Sequence, residues 1–190
     1  MALVVAVIGG PTPGSATAAL VENVAERLEL EGHTTVLISP ADLPPAALIA
    51  GDSADPQIRS AIELIEQADG VVVATPIFQA SYSGLLKTFL DVLPPGALAG
   101  KVALPLANGG SRAHLLAVDY TLRPVLSALG CPQVGQGAFV LDTDIVRHSC
   151  GVGLTGASES RVAAVCRQFA HALALIPDQT SVRSADRSLF

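Results

Sequence analysis

Apolar residues recur along the chain in two alternating patterns, short runs rich in β-branched side chains and longer stretches with helical spacing. Val4, Val5, Val7 and Ile8 lie in a continuous apolar run, the pattern of a central parallel strand covered on both faces. Val21, Val24, Ala25 and Leu28 then recur at i, i+3, i+4 and i+7, and Gly32 ends the helix they predict. Residues 35–38 read as a second strand, and residues 39–54, with Pro40, Pro44 and Pro45, as a long connection. Ile58, Ala61, Ile62 and Ile65 predict a second amphipathic helix that stops near Gly70. A third strand over 71–75 is expected to break at Pro76.

A helix over 83–93 ends at Pro94 and Pro95, and residues 102–107 form a fourth strand. The next helix, 113–129, holds Pro124 inside it and is expected to bend there. Residues 134–140 make a fifth strand and 159–175 a last helix. Five strands alternating with helices, joined by right-handed crossovers, predict a doubly wound α/β fold with three αβα layers. Periodicity leaves open the Rossmann and flavodoxin-like strand orders. The expected organisation is one domain over 1–176 and a loose polar tail over 177–190.

Composition narrows the classes. The chain has 190 residues, 50% of them hydrophobic and 15% charged, so it can bury a sizeable core. Its formal charge of −6 disfavours nucleic acid as a partner. No apolar run approaches the roughly 18 residues that cross a bilayer, so no membrane partner is expected. The start reads as a buried strand rather than a signal peptide, for it lacks a basic leading segment and a cleavage pattern. Cys131, Cys150 and Cys166 are odd in number and widely spaced, which predicts reduced thiols in a cytoplasm and no metal site.

In doubly wound sheets ligands bind at the carboxyl ends of the strands, which directs attention to three loops. The first, residues 9–17, lacks the G-x-G-x-x-G dinucleotide pattern. Gly9 and Gly14 have Walker A spacing, but Ser15 stands where the lysine belongs. What remains is a hydroxyl-rich loop opening a helix, with Thr12, Ser15 and Thr17 as donors to one phosphate monoester. Its plainer reading is a tight turn with Ser15 as an N-cap. The second loop, residues 75–84, contains Phe78 and Tyr82 in a chain that is only 4% aromatic. It offers a flat wall to a ring system, or packs locally or at a subunit contact. Lys87 and Asp91, four residues apart, read as a surface pair. The third loop holds Asn108, Gly109, Gly110, Ser111 and Arg112. Its glycines permit close backbone approach, and Arg112 meets either a nucleotide phosphate or solvent. No Ser-His-Asp set is present and His148 with Cys150 makes no cluster, so a borrowed cofactor is the better source of chemistry.

The segments 68–76, 82–88, 100–107 and, most specifically, 114–120 with 124–129 resemble the NADPH-dependent FMN reductases, a flavodoxin-like family. The likeness is strongest to the FMN reductase component of alkanesulfonate monooxygenase systems and covers roughly residues 3–175. It implies a strand order of 2-1-3-4-5 with FMN at the switch point. Thr12, Ser15 and Thr17 would take the phosphate. Pro76, Ile77, Phe78 and Gln79 would run along the isoalloxazine, and Asn108, Gly109, Gly110 and Ser111 would meet its other edge. Tyr120 matches a tyrosine linked to a widened helical turn at the oligomer contact, a possible modulator rather than a catalytic group. The subgroup has Ser and Arg where Gly10 and Thr12 stand here, and more often Tyr where Phe78 stands.

The resemblance implies an enzyme that moves a hydride from NADPH to FMN and supplies reduced flavin to a partner monooxygenase. The alternatives are a tightly bound FMN that reduces quinones, azo compounds or metal oxyanions, and a flavodoxin-like electron carrier. The apolar helices at 85–93 and 113–129 carry more hydrophobic surface than a monomer needs, which predicts a homodimer or homotetramer.

Overall fold

A computed structural model describes residues 1–149 and 151–176. The expected tail and Cys150 lie outside the described residues. Strands β1 (Leu3–Ile8), β2 (Thr34–Ile38), β3 (Gly70–Phe78), β5 (Val102–Gly109), β6 (Gln133–Val134) and β7 (Ala138–Leu141) are mutually parallel where they pair. They run in the order β2-β1-β3-β5, with β6 and β7 both on β5, which is the 2-1-3-4-5 order of a flavodoxin-like sheet. The short β4 (Ser81–Tyr82) turns back antiparallel on β3.

Alternation along the strands sorts the core into two layers. Val5, Val7, Val71 and Val73 face α2 (Pro45–Ala50), α3 (Pro56–Gln67), α4 (Gly84–Val92) and α5 (Arg123–Ala128). Val4, Ala6, Val72 and Ala74 face α1 (Ala16–Leu30) and α6 (Gly156–Ala174). Both faces are therefore apolar, which is why the strands read as continuous runs.

The structure departs from two of the expected strands. β3 does not break at Pro76 but continues to Phe78, paired through Pro76 with Asn108 on β5. Its other neighbour, β1, ends its pairing at Ala74, so no strand on that side asks Pro76 for an N–H. The fifth strand is two pieces, β6 and β7, because the break lies opposite Leu104 and Pro105, where proline supplies no ladder donor. The long connection 39–54 holds a 3-10 turn (Pro40–Asp42) and α2, both begun by prolines at the first helical position.

The 113–129 segment does more than bend. It runs as a 3-10 turn (Arg112–His114), a π turn (Val118–Leu122) and then α5. Pro124 has no N–H for the carbonyl of Tyr120, and its ring would crowd that carbonyl in a regular helix. The chain resolves this by widening, with Arg123 N donating to Val118 O. A hairpin, β8 (Ile145–His148) and β9 (Gly151–Leu154), was not legible in the sequence. Asn23 pins it to α1 by donating from Nδ2 to Val152 O at 2.7 Å.

Candidate functional site

Where β1 ends, the chain turns through Gly9 and Gly10 into α1. Gly9 N donates to Ala74 O at 2.7 Å and locks the turn against β3. A Cβ at Gly9 would stand 2.8 Å from that same carbonyl, and one at Gly10 would stand 2.8 Å from Ser15 Oγ. At Gly9 the close atom is backbone and cannot give way, whereas at Gly10 it is the Ser15 hydroxyl, which would have to swing out of its present cap geometry. Ser15 caps α1, accepting from Ala18 N at 3.2 Å, which leaves its hydroxyl proton to donate outward. Thr12 is exposed beside it, and Ser15 N donates to Thr12 O at 3.2 Å. The first turn of α1 carries no acidic residue, so no charge within that turn offsets its positive dipole end.

Beneath this rim lies a buried polar relay. Asn108, at the end of β5, donates from Nδ2 to Asp142 Oδ1 at 2.7 Å and accepts at Oδ1 from Thr17 Oγ1 at 2.7 Å. A carboxylate only accepts, so Asp142 fixes the amide orientation, and the amide in turn makes Thr17 the donor. Thr17 is 1% exposed and Asn108 3%. These two residues brace α1 against β5 from below, with the Thr17 proton directed at Asn108.

The second loop is held to the first by Ser83, a residue sequence reasoning did not single out for the site. Ser83 Oγ donates to Gly9 O at 2.5 Å and accepts from Leu86 N at 3.0 Å as the cap of α4. Its own N–H donates to Thr75 Oγ1 at 2.9 Å. The pairs Ile77 with Tyr82 and Phe78 with Ser81 leave Gln79 and Ala80 as a two-residue hairpin turn, at φ 49° and 62°. That is the left-handed geometry of a type I′ turn, normally given to Asn and Gly. Two strained residues held this way mark a segment shaped for a task. Phe78 presents a half-exposed ring at the turn. Burial pushes the Tyr82 phenol above its ordinary value, against the lowering pull of Lys87.

The third loop leaves β5 at Gly109 and passes through exposed Gly110 to Ser111, whose Oγ accepts from Ala113 N at 3.2 Å. The structure therefore brings together Thr12, Ser15, Thr17, Pro76–Gln79 and Asn108–Ser111 at the carboxyl ends of β1, β3 and β5. The π turn packs against β4, which places Tyr120, 75% exposed, beside this mouth. Lys87 and Asp91 form an exposed ion pair. Among the described residues no group of three or more His, Cys, Asp or Glu is arranged to hold a metal ion. Asp142, Ser83 and Thr75 went unread because support roles carry no local spacing.

The family model for NADPH-dependent FMN reductases matches residues 2–145. An FMN reductase (NADPH) of Escherichia coli is 38% identical over 184 residues, 95% of this chain and 96% of its own. One from Pseudomonas putida is 43% identical over 143 residues, 75% of this chain and 73% of its own. Among solved structures, the apo form of an NADH:FMN oxidoreductase (EMOB) is 40% identical at a TM-score of 0.85, covering 93% of this chain and 92% of that one.

Proposed function

The chain belongs to the NADPH-dependent FMN reductase family, oxidoreductases whose two nucleotides are FMN and NADPH, and on that premise we propose that it moves a hydride from NADPH to FMN at the mouth formed by β1, β3 and β5. The observation that carries this reading is the glycine-closed loop, which sets the Thr12 and Ser15 hydroxyls at the start of a helix whose first turn carries no acidic residue. Those groups fit a phosphate monoester. Thr12 Oγ1, Ser15 Oγ and the amides at the start of α1 hold it, while Thr17 and Asn108 keep the loop in shape. When bound, FMN supplies the two-electron acceptor at N5.

The strained turn fixes Pro76, Ile77, Phe78 and Gln79 as one wall of the ring site, and Gly109, Gly110 and Ser111 form the other. Backbone N–H groups along these loops stabilise charge that develops during the transfer. The chain's task is orientation, since hydride transfer needs the reacting atoms about 3–3.5 Å apart. No side chain of this site has to act as a nucleophile.

Reduced flavin then passes to a flavin-dependent monooxygenase. Phe78, Leu115, Leu116 and Tyr120 expose apolar surface beside the mouth, which supports assembly as a homodimer or homotetramer with Tyr120 modulating the site from that contact. The buried free thiols of Cys131 and Cys166 suit a reducing cytoplasm. Anaerobic stopped-flow mixing of protein and FMN with NADPH tests the reaction: rapid bleaching of the flavin band supports it, and an unchanged spectrum overturns it. Light scattering at micromolar protein tests the assembly, and a monomer mass contradicts it.

A further inference from the structure

A cavity of about 370 Å³ lies outside the flavin strip, beyond β5. Its lining includes Arg112 after the third loop, Asp119 in the π turn, Phe139 on β7, Asp144 before β8, and Ser158 and Arg161 on α6. It adjoins the ring site directly. A Cβ at Gly109 would lie 3.5 Å from the Phe139 ring and 3.8 Å from Ile77 Cβ, so Phe139 is the partition between them. From Ile77 on β3 to Phe139 on β7 is two strand spacings, about 10 Å.

The charges around this cavity are unevenly compensated. Asp119 is paired with Arg123 at 3.1 Å, and Glu159, in the first turn of α6, with Arg27 at 2.7 Å. Asp144 accepts from Ser158 Oγ at 2.6 Å. Arg161 donates one Nη1 bond to Phe139 O at 3.1 Å and has no ion pair among the described residues. The Arg112 guanidinium bonds no other described residue. Two arginines without an ion pair among the described residues thus line the cavity, against the single carboxylate of Asp144 that has none. Thr155, the N-cap of α6, makes no side-chain cap bond, so the amides of that 19-residue helix add further donors. A dianionic phosphate monoester matches this donor set, since guanidinium forks suit phosphate oxygens.

We propose that this cavity takes the 2′-phosphate of NADPH, held between Arg112 and Arg161, and that it sets the preference for NADPH over NADH. The proposal rests on the flavin-reductase reading. The nicotinamide stacks in the ring site, the dinucleotide crosses the Phe139 partition, and its adenosine end reaches the two arginines. NADH has nothing to place there.

The test uses the full chain, titrated calorimetrically with adenosine 2′,5′-bisphosphate, AMP and inorganic phosphate, followed by KM measurements for NADPH and NADH with FMN. The bisphosphate is expected to bind about tenfold or more tightly than AMP, and Arg161→Gln to remove that difference. The same variant raises the KM for NADPH about tenfold more than the KM for NADH. Arg112→Gln, at an exposed position whose guanidinium bonds no described residue, repeats the test should Arg161→Gln fail to fold. Equal binding of bisphosphate and AMP overturns the proposal, as does a KM ratio unmoved by either variant. Inorganic phosphate competing as strongly as the bisphosphate would make this an anion site independent of the dinucleotide, which also overturns it. Failure of the flavin-reductase reading shows separately, as no flavin bleaching with either nucleotide.

Discussion

The two ends of the sheet use polar groups in opposite ways. At the amino end Lys101, 4% exposed, turns inward and donates from Nζ to Glu66 O at 2.9 Å and Ala68 O at 2.6 Å, while Asp69 Oδ2 accepts from Leu3 N at 2.8 Å. These groups bind the chain to itself. At the carboxyl end the buried layer of Thr17, Asn108, Thr75 and Ser83 is equally satisfied, but it supports an outer layer that is not. Thr12 is exposed and Ser15 half-buried there, at the uncompensated start of α1 and near a turn held in a costly conformation. A binding mouth differs from a sealed end in having donors left over on a rigid base.

The sealed end should be the more costly to disturb. Lys101→Met strips two carbonyls near the end of α3 of a charged donor, and chemical denaturation should show a loss of about 3 kcal/mol with FMN affinity retained. At the mouth the balance reverses. Gly10→Ala crowds Ser15 Oγ and should weaken FMN binding by about thirtyfold, about 2 kcal/mol, in a fluorescence titration, with a smaller drop in melting temperature. Between the ends, burial in the α6 layer pushes the Cys166 thiol up from 9.0 to about 11. The core accepts the neutral thiol, so this contribution is intact below the unfolded value and is lost as pH rises toward the folded one. The unfolding free energy read from denaturant titrations should therefore fall over that alkaline interval, by up to about 3 kcal/mol, and Cys166→Ala should flatten the slope.

Two smaller effects are expected within the mouth itself. Asp142→Ala leaves Asn108 Nδ2 buried without its acceptor, and both stability and FMN affinity should fall by about 1–2 kcal/mol. Were the relay only structural, as at the amino end, affinity would hold while stability fell. Ala80→Gly relieves the left-handed residue at φ 62° and should add about 1 kcal/mol of stability while lowering FMN affinity, because the turn loses its set shape. A gain in both would mean that the strain serves no ligand.

The layers of the fold were legible because Val4–Ile8, Ile58–Ile65 and the later runs obey local periods that burial on two faces imposes. The rim residues were legible because Gly9, Ser15 and Asn108 fall where strands give way to helices. What stayed hidden depends on partners remote in sequence. Pro76 reads as a breaker until β1 is known to stop beside it, and Pro105 reads as harmless until the neighbouring strand parts opposite it. Pro124 promised a bend, and only its conflict with the Tyr120 carbonyl explains a π turn. Asp142 sits 34 positions from Asn108 and 125 from Thr17, so its fixing of the relay has no sequence signature.

On the function proposed above, uncharged donors at the start of α1 grip the phosphate of FMN. Titrating the protein with FMN and with riboflavin, which lacks that phosphate, tests it directly by flavin fluorescence. The expected result is an affinity for FMN about thirtyfold or more above that for riboflavin, with Gly10→Ala collapsing the difference. Equal affinities for the two flavins would contradict it.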